Sequence, residues 1–388
     1  MSPWGKMLLN ARKQPASFKI SIPEQQLSEF YALLKLSHIP PLTYESAHED
    51  QKFGVNHRWM TNAKEHWLSK FDWRECEKHM NRSSHFKVPV EDRTSNTTFD
   101  IHFVALFSAN ADATPILLLH GWPGSFLEFL PIISLVKSHY TPETLPYHLI
   151  VPSLPGYAFS SPPPLDRDFR VEDIARVMNQ LMLDLGFGSG YVVQGGDIGS
   201  KVARVIAVEH EACKAVHLNF GIMPEPQTAD PSKYTALEKT GLQRGREFHR
   251  IGSAYALEHA TCPSTIAFTK FLTWSDPTST SSLDTILEAV TLYYLTDTFP
   301  KAIYPYRQLF TPGNIGAHEN PIWRINKPFG FSWFPNEIAP VPRNWVESTT
   351  DEKLIYWREH EKGGHFAALE RPETLWGDLK EFVDQVFA

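Results

Sequence analysis

The sequence predicts an α/β chain: a doubly wound, mostly parallel sheet, with an inserted helical lid and an N-terminal arm. Three observations predict it. Apolar runs at residues 115–119, 147–152 and 191–194 are strand-sized and unbroken, as in strands covered on both faces. A helical period (Val171, Ile174, Ala175, Met178, Leu181, Met182, Leu185) separates the second run from the third, and a further helix is predicted over 200–210. Strands that alternate with helices through short connections build parallel sheets. The composition agrees, because 388 residues with 42% hydrophobic and 21% charged side chains can bury a large core and are neither disordered nor a disulfide scaffold.

Taken in order, residues 1–95 are polar and helical in places. An amphipathic helix is predicted over 23–36 (Leu27, Phe30, Tyr31, Leu34) and another helical stretch carries Trp59, Trp67, Phe71 and Trp73. This segment lacks a core of its own and is expected to form an arm or meander that packs on the core and the lid. Residues 96–221 hold the first part of the α/β core, beginning with a strand over 98–106. Residues 222–325 break the rhythm with Pro, Thr, Ser, Tyr and Trp, and their clear element, 283–295, is helical, so this segment is predicted to be the lid. Residues 326–388 return to the core with a strand at 354–357 and a helix over 373–387.

Charge and cysteine usage narrow the function. Basic residues number 37 against 44 acidic ones, a net charge of −7, with no Lys/Arg run, which argues against nucleic acid or anionic lipid as partners. Cys76, Cys213 and Cys262 are too few and too scattered for a disulfide framework or a metal site, so a reducing, cytoplasmic setting is expected. Residues 1–15 carry no apolar h-region and no later run is long enough to span a bilayer, so neither signal peptide nor membrane anchor is expected.

Four motifs carry chemistry. Gly195-Gly196-Asp197-Ile198-Gly199 has the shape of a nucleophile elbow, a strand–turn–helix whose small residues let one side chain stand exposed. Here that side chain is a carboxylate over a helix N-terminus, which favours its ionised, nucleophilic form. The same pentapeptide also fits a helix N-cap after an ordinary turn. His120-Gly121-Trp122-Pro123-Gly124 follows a buried strand, and in an α/β hydrolase such a loop supplies one oxyanion N–H while the residue after the nucleophile supplies the other. Those donors are Trp122 and Ile198. Gly363-Gly364-His365-Phe366 offers a histidine near the C-terminus, where the base falls in the order nucleophile, acid, histidine. Of the acids between, Glu337 follows Phe334-Pro335-Asn336 on a loop; Asp351 and Glu352 are rivals whose polar neighbours suit a solvated turn.

Together these motifs, in this order, resemble the microsomal-type epoxide hydrolases, most closely their soluble fungal members. The resemblance runs over nearly the whole chain, from Phe18-Lys19-Ile20-Ser21-Ile22-Pro23 to Ala367-Ala368-Leu369-Glu370-Arg371-Pro372. Two departures stand out: no anchor like that of the membrane-bound relatives is expected, and fungal relatives often carry Asp at the position of Glu337. The resemblance implies an α/β-hydrolase fold, conversion of epoxides to vicinal diols through an ester on Asp197, and no cofactor or metal. It implies His365 as base, Glu337 as its partner, and two lid tyrosines that protonate the epoxide oxygen. The matching positions are Tyr255 and Tyr306, with Tyr304 open beside Tyr306. Soluble members are often dimers, which leaves a homodimer open.

Trp122, Phe126, Phe159 and Trp333 are expected to line an apolar site for aryl or alkyl oxiranes, in a detoxifying or catabolic role. The alternative chemistry is a dehalogenase on the same fold, which would need N–H donors to halide, such as Trp274, in place of tyrosine hydroxyls. A catalytically silent binding protein is the alternative from another class.

Overall fold

The computed structural model describes residue 4 and residues 11–49, 54–256, 268–279, 281–310 and 318–387. Its strands are β1 (Ala16–Phe18), β2 (His85–Asp92), β3 (Thr97–Leu106), β4 (Thr114–Leu119), β5 (Tyr147–Pro152), β6 (Tyr191–Gly195), β7 (Cys213–Leu218), β8 (Phe329–Trp333) and β9 (Leu354–Glu359). They form one sheet in the order β1-β2-β3-β5-β4-β6-β7-β8-β9. From β5 through β9 all neighbours are parallel, whereas β1, β2 and β3 meet their neighbours antiparallel. The apolar runs explain the parallel part: β5 and β6 are buried along their whole length, as strands covered on both faces must be. Helices α1 (Glu24–Leu36), α2 (His57–Ser69) and α3 (Trp73–Met80) precede the parallel part; α4 (Leu130–His139), α5 (Val171–Asp184) and α6 (Asp197–Glu209) connect its strands.

Two features of residues 1–95 differ from the sequence expectation of an arm. First, β1 and β2 extend the sheet itself, with β2 paired to β3 over its full length. Along β2, Val88 and Val90 point inward while Pro89 and Glu91 point out, the alternation of a half-wet antiparallel strand. Pro89 hid that signal; it is tolerated because the short β1 covers only His85, Phe86 and Lys87 and leaves Pro89 at an open edge. Second, the helical stretch from Trp59 to Trp73 is two helices. The break falls at Lys70–Asp72, where the Asp72 carboxylate accepts the Arg74 N–H and caps α3.

Between β7 and β8 lies the insertion, with α7 (Ala236–Glu247), a wide helical turn (Phe248–Gly252), and helices Phe268–Thr273, Leu283–Leu295 and Thr298–Ala302. Thr235 and Glu238 cap α7 reciprocally. The N-terminal helices grip Leu283–Leu295 by mixed contacts: Trp67 Nε1 donates to Thr291 Oγ1 at 3.1 Å, Gln26 to the Leu295 carbonyl at 2.8 Å, and the Phe30 and Tyr294 rings lie 5.0 Å apart. Cys76 and Cys213 are free thiols, and Cys262 lies outside the described residues. Among the described residues no helix is long and apolar enough to cross a membrane.

Candidate active site

The carboxyl ends of β4, β6, β8 and β9 converge, the place where open α/β sheets hold their ligands. After β6 the chain turns so sharply that a Cβ on Gly195 would stand 2.3 Å from the Gly199 carbonyl oxygen, and one on Gly199 would stand 2.3 Å from that of Leu119. Only hydrogen fits at either position, so the two glycines let α6 start directly against the sheet. Asp197 opens α6 with φ at 45°, a left-handed conformation unfavourable for a residue with a Cβ. The loop after β4 passes equally close: a Cβ on Gly121 would lie 2.2 Å from Asp197 Oδ1.

That approach lets the backbone reach the carboxylate. Trp122 N–H donates to Asp197 Oδ1 at 2.7 Å, and Ile198 N–H also bonds the carboxylate. Burial opposes ionisation of Asp197, but His365 and these two N–H groups outweigh it and hold the carboxyl below its ordinary range.

His365 follows β9 and Glu337 follows β8, and the two loops are tied by Asn336 N–H to the Gly363 carbonyl at 3.0 Å. His365 Nδ1 lies 2.6 Å from Glu337 Oε1, which also accepts the Ile338 N–H. Nε2 lies 3.2 Å from Asp197 Oδ2, an ion contact that is not aligned as a hydrogen bond. Burial works against a charged imidazole here, yet the Glu337 and Asp197 carboxylates together raise His365 well above the usual imidazole range. Asp351 is ruled out as partner of His365 by place: it bonds Arg324 at the surface. His120 bonds the Leu154 N–H and is held neutral by burial, near pKa about 4.

Two cavities meet at Asp197. The larger, about 380 Å³, is walled by Val171, Ile198, Phe220, Ile222, Phe248 and Ile338, with Tyr255, Tyr306 and Lys201 among its polar groups. The two tyrosines share a hydrogen bond, their rings lie 5.8 Å apart, and burial pushes both phenols well above their ordinary value, so they are neutral donors. Tyr255 stacks on Trp122 at 5.6 Å. Tyr304 faces elsewhere and gives its hydroxyl to the Pro155 carbonyl at 3.1 Å. The smaller cavity, about 10 Å³, is bounded by Trp122, Glu128, Asp197 and His365 and has room for about one water. Among the described residues no cluster of His, Cys, Asp and Glu has the geometry to hold a metal ion.

Three expected lining residues lie away from the larger cavity, which is a correction. Phe126 and Phe159 pack against His102 beneath the β4 loop, and Trp333 points into the core with its indole N–H on the Val341 carbonyl. Phe126 and Trp333 are aromatics near a motif in sequence, but the turn after β4 and strand alternation send their rings to the other side, while Phe159, which follows β5, packs among Phe18, His102 and Phe126. Trp122 does stand at the site. Missing from the sequence reading was Glu128, whose signal was a lone charge within the apolar run Phe126-Leu127-Glu128-Phe129-Leu130. Burial pushes its carboxyl up to about 8.

The fold and this gathering of groups at the strand ends define an α/β hydrolase. Residues 114–304 match the family model of the alpha/beta hydrolase fold, and residues 15–129 match that of the epoxide hydrolase N terminus. The structure of Aspergillus niger epoxide hydrolase superposes with a TM-score of 0.92 at 48% identity, covering 99% of each chain. A relative from Dothistroma septosporum, provisionally named an epoxide hydrolase, is 42% identical over 393 residues, 97% of this chain and 91% of its own. Epoxide hydrolase 1 of Sus scrofa is 29% identical over 420 residues, 94% of this chain and 88% of its own. The chain belongs to the epoxide hydrolases, enzymes that add water to an oxirane.

Proposed function

We propose that the enzyme opens apolar aryl or alkyl epoxides in two steps through an ester on Asp197, beneath a cap formed by residues 222–325. In the first step Asp197 Oδ2 attacks an oxirane carbon, the C–O bond breaks, and the departing oxygen takes a proton from the Tyr255–Tyr306 pair. Neutral phenols suit this task because they hydrogen-bond the epoxide oxygen first and release a proton only as charge develops. Tyr304, with its hydroxyl on Pro155, takes no part.

In the second step His365 Nε2 takes a proton from water, whose oxygen attacks Cγ of the ester. The oxyanion then forms on Oδ1, the atom that Trp122 N–H already holds at 2.7 Å, and its collapse breaks the acyl C–O bond; His365 returns its proton to the departing alkoxide, and the proton on the new Asp197 carboxyl restores the tyrosine pair as the diol leaves. Glu337 orients the imidazole and stabilises its charge. Glu128 is a carboxyl whose raised pKa keeps it mostly protonated at neutral pH, and it positions the water from the small cavity. Ester formation neutralises Asp197, which removes one of the two charges that raise His365 and so frees the imidazole to act as a base.

The observation that carries this reading is the Asp197 carboxylate, held by a backbone N–H on one oxygen and beside His365 on the other, facing a largely apolar cavity with two phenols. The test is a single turnover of styrene oxide in oxygen-18 water with enzyme in excess. Unlabelled diol is expected, its new oxygen coming from the carboxylate. Labelled diol in that first turnover would sink the ester route.

A further inference from the structure

His318 enters none of these steps, yet it is fully buried where the insertion returns to the core. Its backbone N–H donates to the Ile222 carbonyl at 2.9 Å, joining the outgoing and returning ends of the insertion. On its ring, Nε2 lies 3.0 Å from Ser200 Oγ and Nδ1 lies 3.0 Å from the Ile222 nitrogen. Ser200 Oγ lies 2.6 Å from the Asp197 carbonyl oxygen.

The direction of each bond follows from proton counting. A hydroxyl has one proton and a carbonyl only accepts, so Ser200 donates to Asp197 and accepts from His318 Nε2–H. Nδ1 is then bare and accepts the Ile222 N–H; the Ile222 carbonyl oxygen, 3.1 Å from Nδ1, takes the His318 backbone N–H instead. One neutral tautomer satisfies all three contacts, and burial, with Lys201 and Arg204 nearby, holds the ring well below the ordinary imidazole range. One turn along α6, Arg204 donates to the Trp323 carbonyl at 3.1 Å and to Thr349 Oγ1 at 3.0 Å, so this helix face anchors the returning chain at a second point. Phe220 stands edge-on between the rings of His318 and His365, 5.9 Å from one and 5.5 Å from the other.

We infer that His318 is a positioning residue for Asp197. Through Ser200 it holds the carbonyl of a residue kept in a left-handed turn, and through Ile222 it links that turn to the wall of the substrate cavity. A strained backbone of this kind persists only where surrounding contacts over-determine it. Closure of the insertion against the core and aim of the nucleophile are therefore one arrangement. This rests on Asp197 being the group that forms the ester.

The experiment is quenched single-turnover mass spectrometry of ester formation with styrene oxide, alongside KM and thermal unfolding. The proteins are the parent, His318→Leu, His318→Gln, Ser200→Ala and the Leu/Ala double variant. His318→Leu should slow ester formation about tenfold or more while KM stays within about twofold, because small misplacements of a reacting group cost rate. His318→Gln retains an N–H donor and should recover most of that loss. Ser200→Ala breaks the same relay, so the double variant should be no slower than His318→Leu alone. Equal losses in Leu and Gln, losses that multiply in the double variant, or a lower melting temperature with ester formed at the parent rate would each overturn the inference. Should His318→Leu fail to fold, His318→Gln and Ser200→Ala carry the same comparison. A parent that forms no ester overturns the reading of Asp197 as well, whereas unchanged ester formation in the variants overturns the relay alone.

Discussion

The groups gathered around Asp197 come from two regions built on different principles. Asp197, His365 and Glu337 stand at strand ends of the sheet, where close backbone contacts at Gly121, Gly195 and Gly199 fix Asp197 and the bond between Glu337 and His365 fixes the imidazole. Tyr255 and Tyr306 come from the insertion, whose helices are shorter and are held by aromatic stacking and by the N-terminal helices. The first region aims charge with backbone N–H groups at fixed distances. The second aims neutral phenols through packing. In the proposed mechanism the carboxylate attacks in line and needs the rigid mount, while donors that only follow developing charge can sit on a softer one.

The difference is sharpest in Asp197→Asn, which should lower turnover by about 10⁴-fold, as expected when a member of such a triad is lost. His365→Ala should halt turnover to a similar extent while still forming ester, seen as added substrate mass on the protein. Absence of that adduct would break the division of labour between the two residues. On the insertion, Tyr306→Phe should cost about 10²-fold in the rate of ester formation, the usual scale for a general acid. Equal rates for Tyr306→Phe and the parent would show that the phenols only pack.

Within the rigid region, the buried histidines and His365 should separate by pH. His85, His120, His148 and His217 are held neutral by burial, each near pKa about 4, with His102 and His318 also well below 6.5. Between pH about 4 and 6.5 the unfolded chain binds the extra protons, so stability rises with pH across that window and the melting temperature should fall on acidification. Glu128 and Glu370, raised to about 8 and about 7 by burial, oppose this and are outnumbered. His365 has the opposite sign: raised in the folded state, its stabilisation is complete below pH about 6.5 and is lost as pH climbs through the folded value. In His365→Gln the acid limb should therefore survive and the alkaline limb should flatten. The smallest effect belongs to Tyr304→Phe, which removes one bond to the Pro155 carbonyl and should cost about 1 kcal/mol of stability with turnover nearly unchanged.

What was legible in the sequence follows the same division. The runs that became β4, β5 and β6 and the periods of α5 and of the helix Leu283–Leu295 were plain because burial on both faces, or on one stripe, leaves a local pattern. Glycine spacing marked the elbow because close backbone approach excludes any other residue there. The strand β2 was obscured by Pro89, whose tolerance depends on how short its neighbour β1 is, a fact about another part of the chain. The cavity wall was misjudged for a similar reason. Phe126 looks like a lining residue by its proximity to the loop motif after β4, whereas Phe248, which belongs to no motif, forms part of the wall together with Ile338, the neighbour of Glu337. Glu337 and Asp351 could be ranked but not separated by sequence physics, because only the distance from His365 divides them.

By itself, then, the sequence determined the alternating α/β order, the strained turn that exposes Asp197 and the loops able to bring His365 and N–H donors to it. These depend on side-chain period and on backbone space, both local properties. Tertiary structure alone decided that β1 and β2 join the sheet, that Tyr306 and not Tyr304 faces Asp197, that Glu128 bounds the small cavity and that His318 ties the insertion to the elbow. Each of those depends on which distant segments come within hydrogen-bond reach, and no spacing along a chain encodes a distance across it.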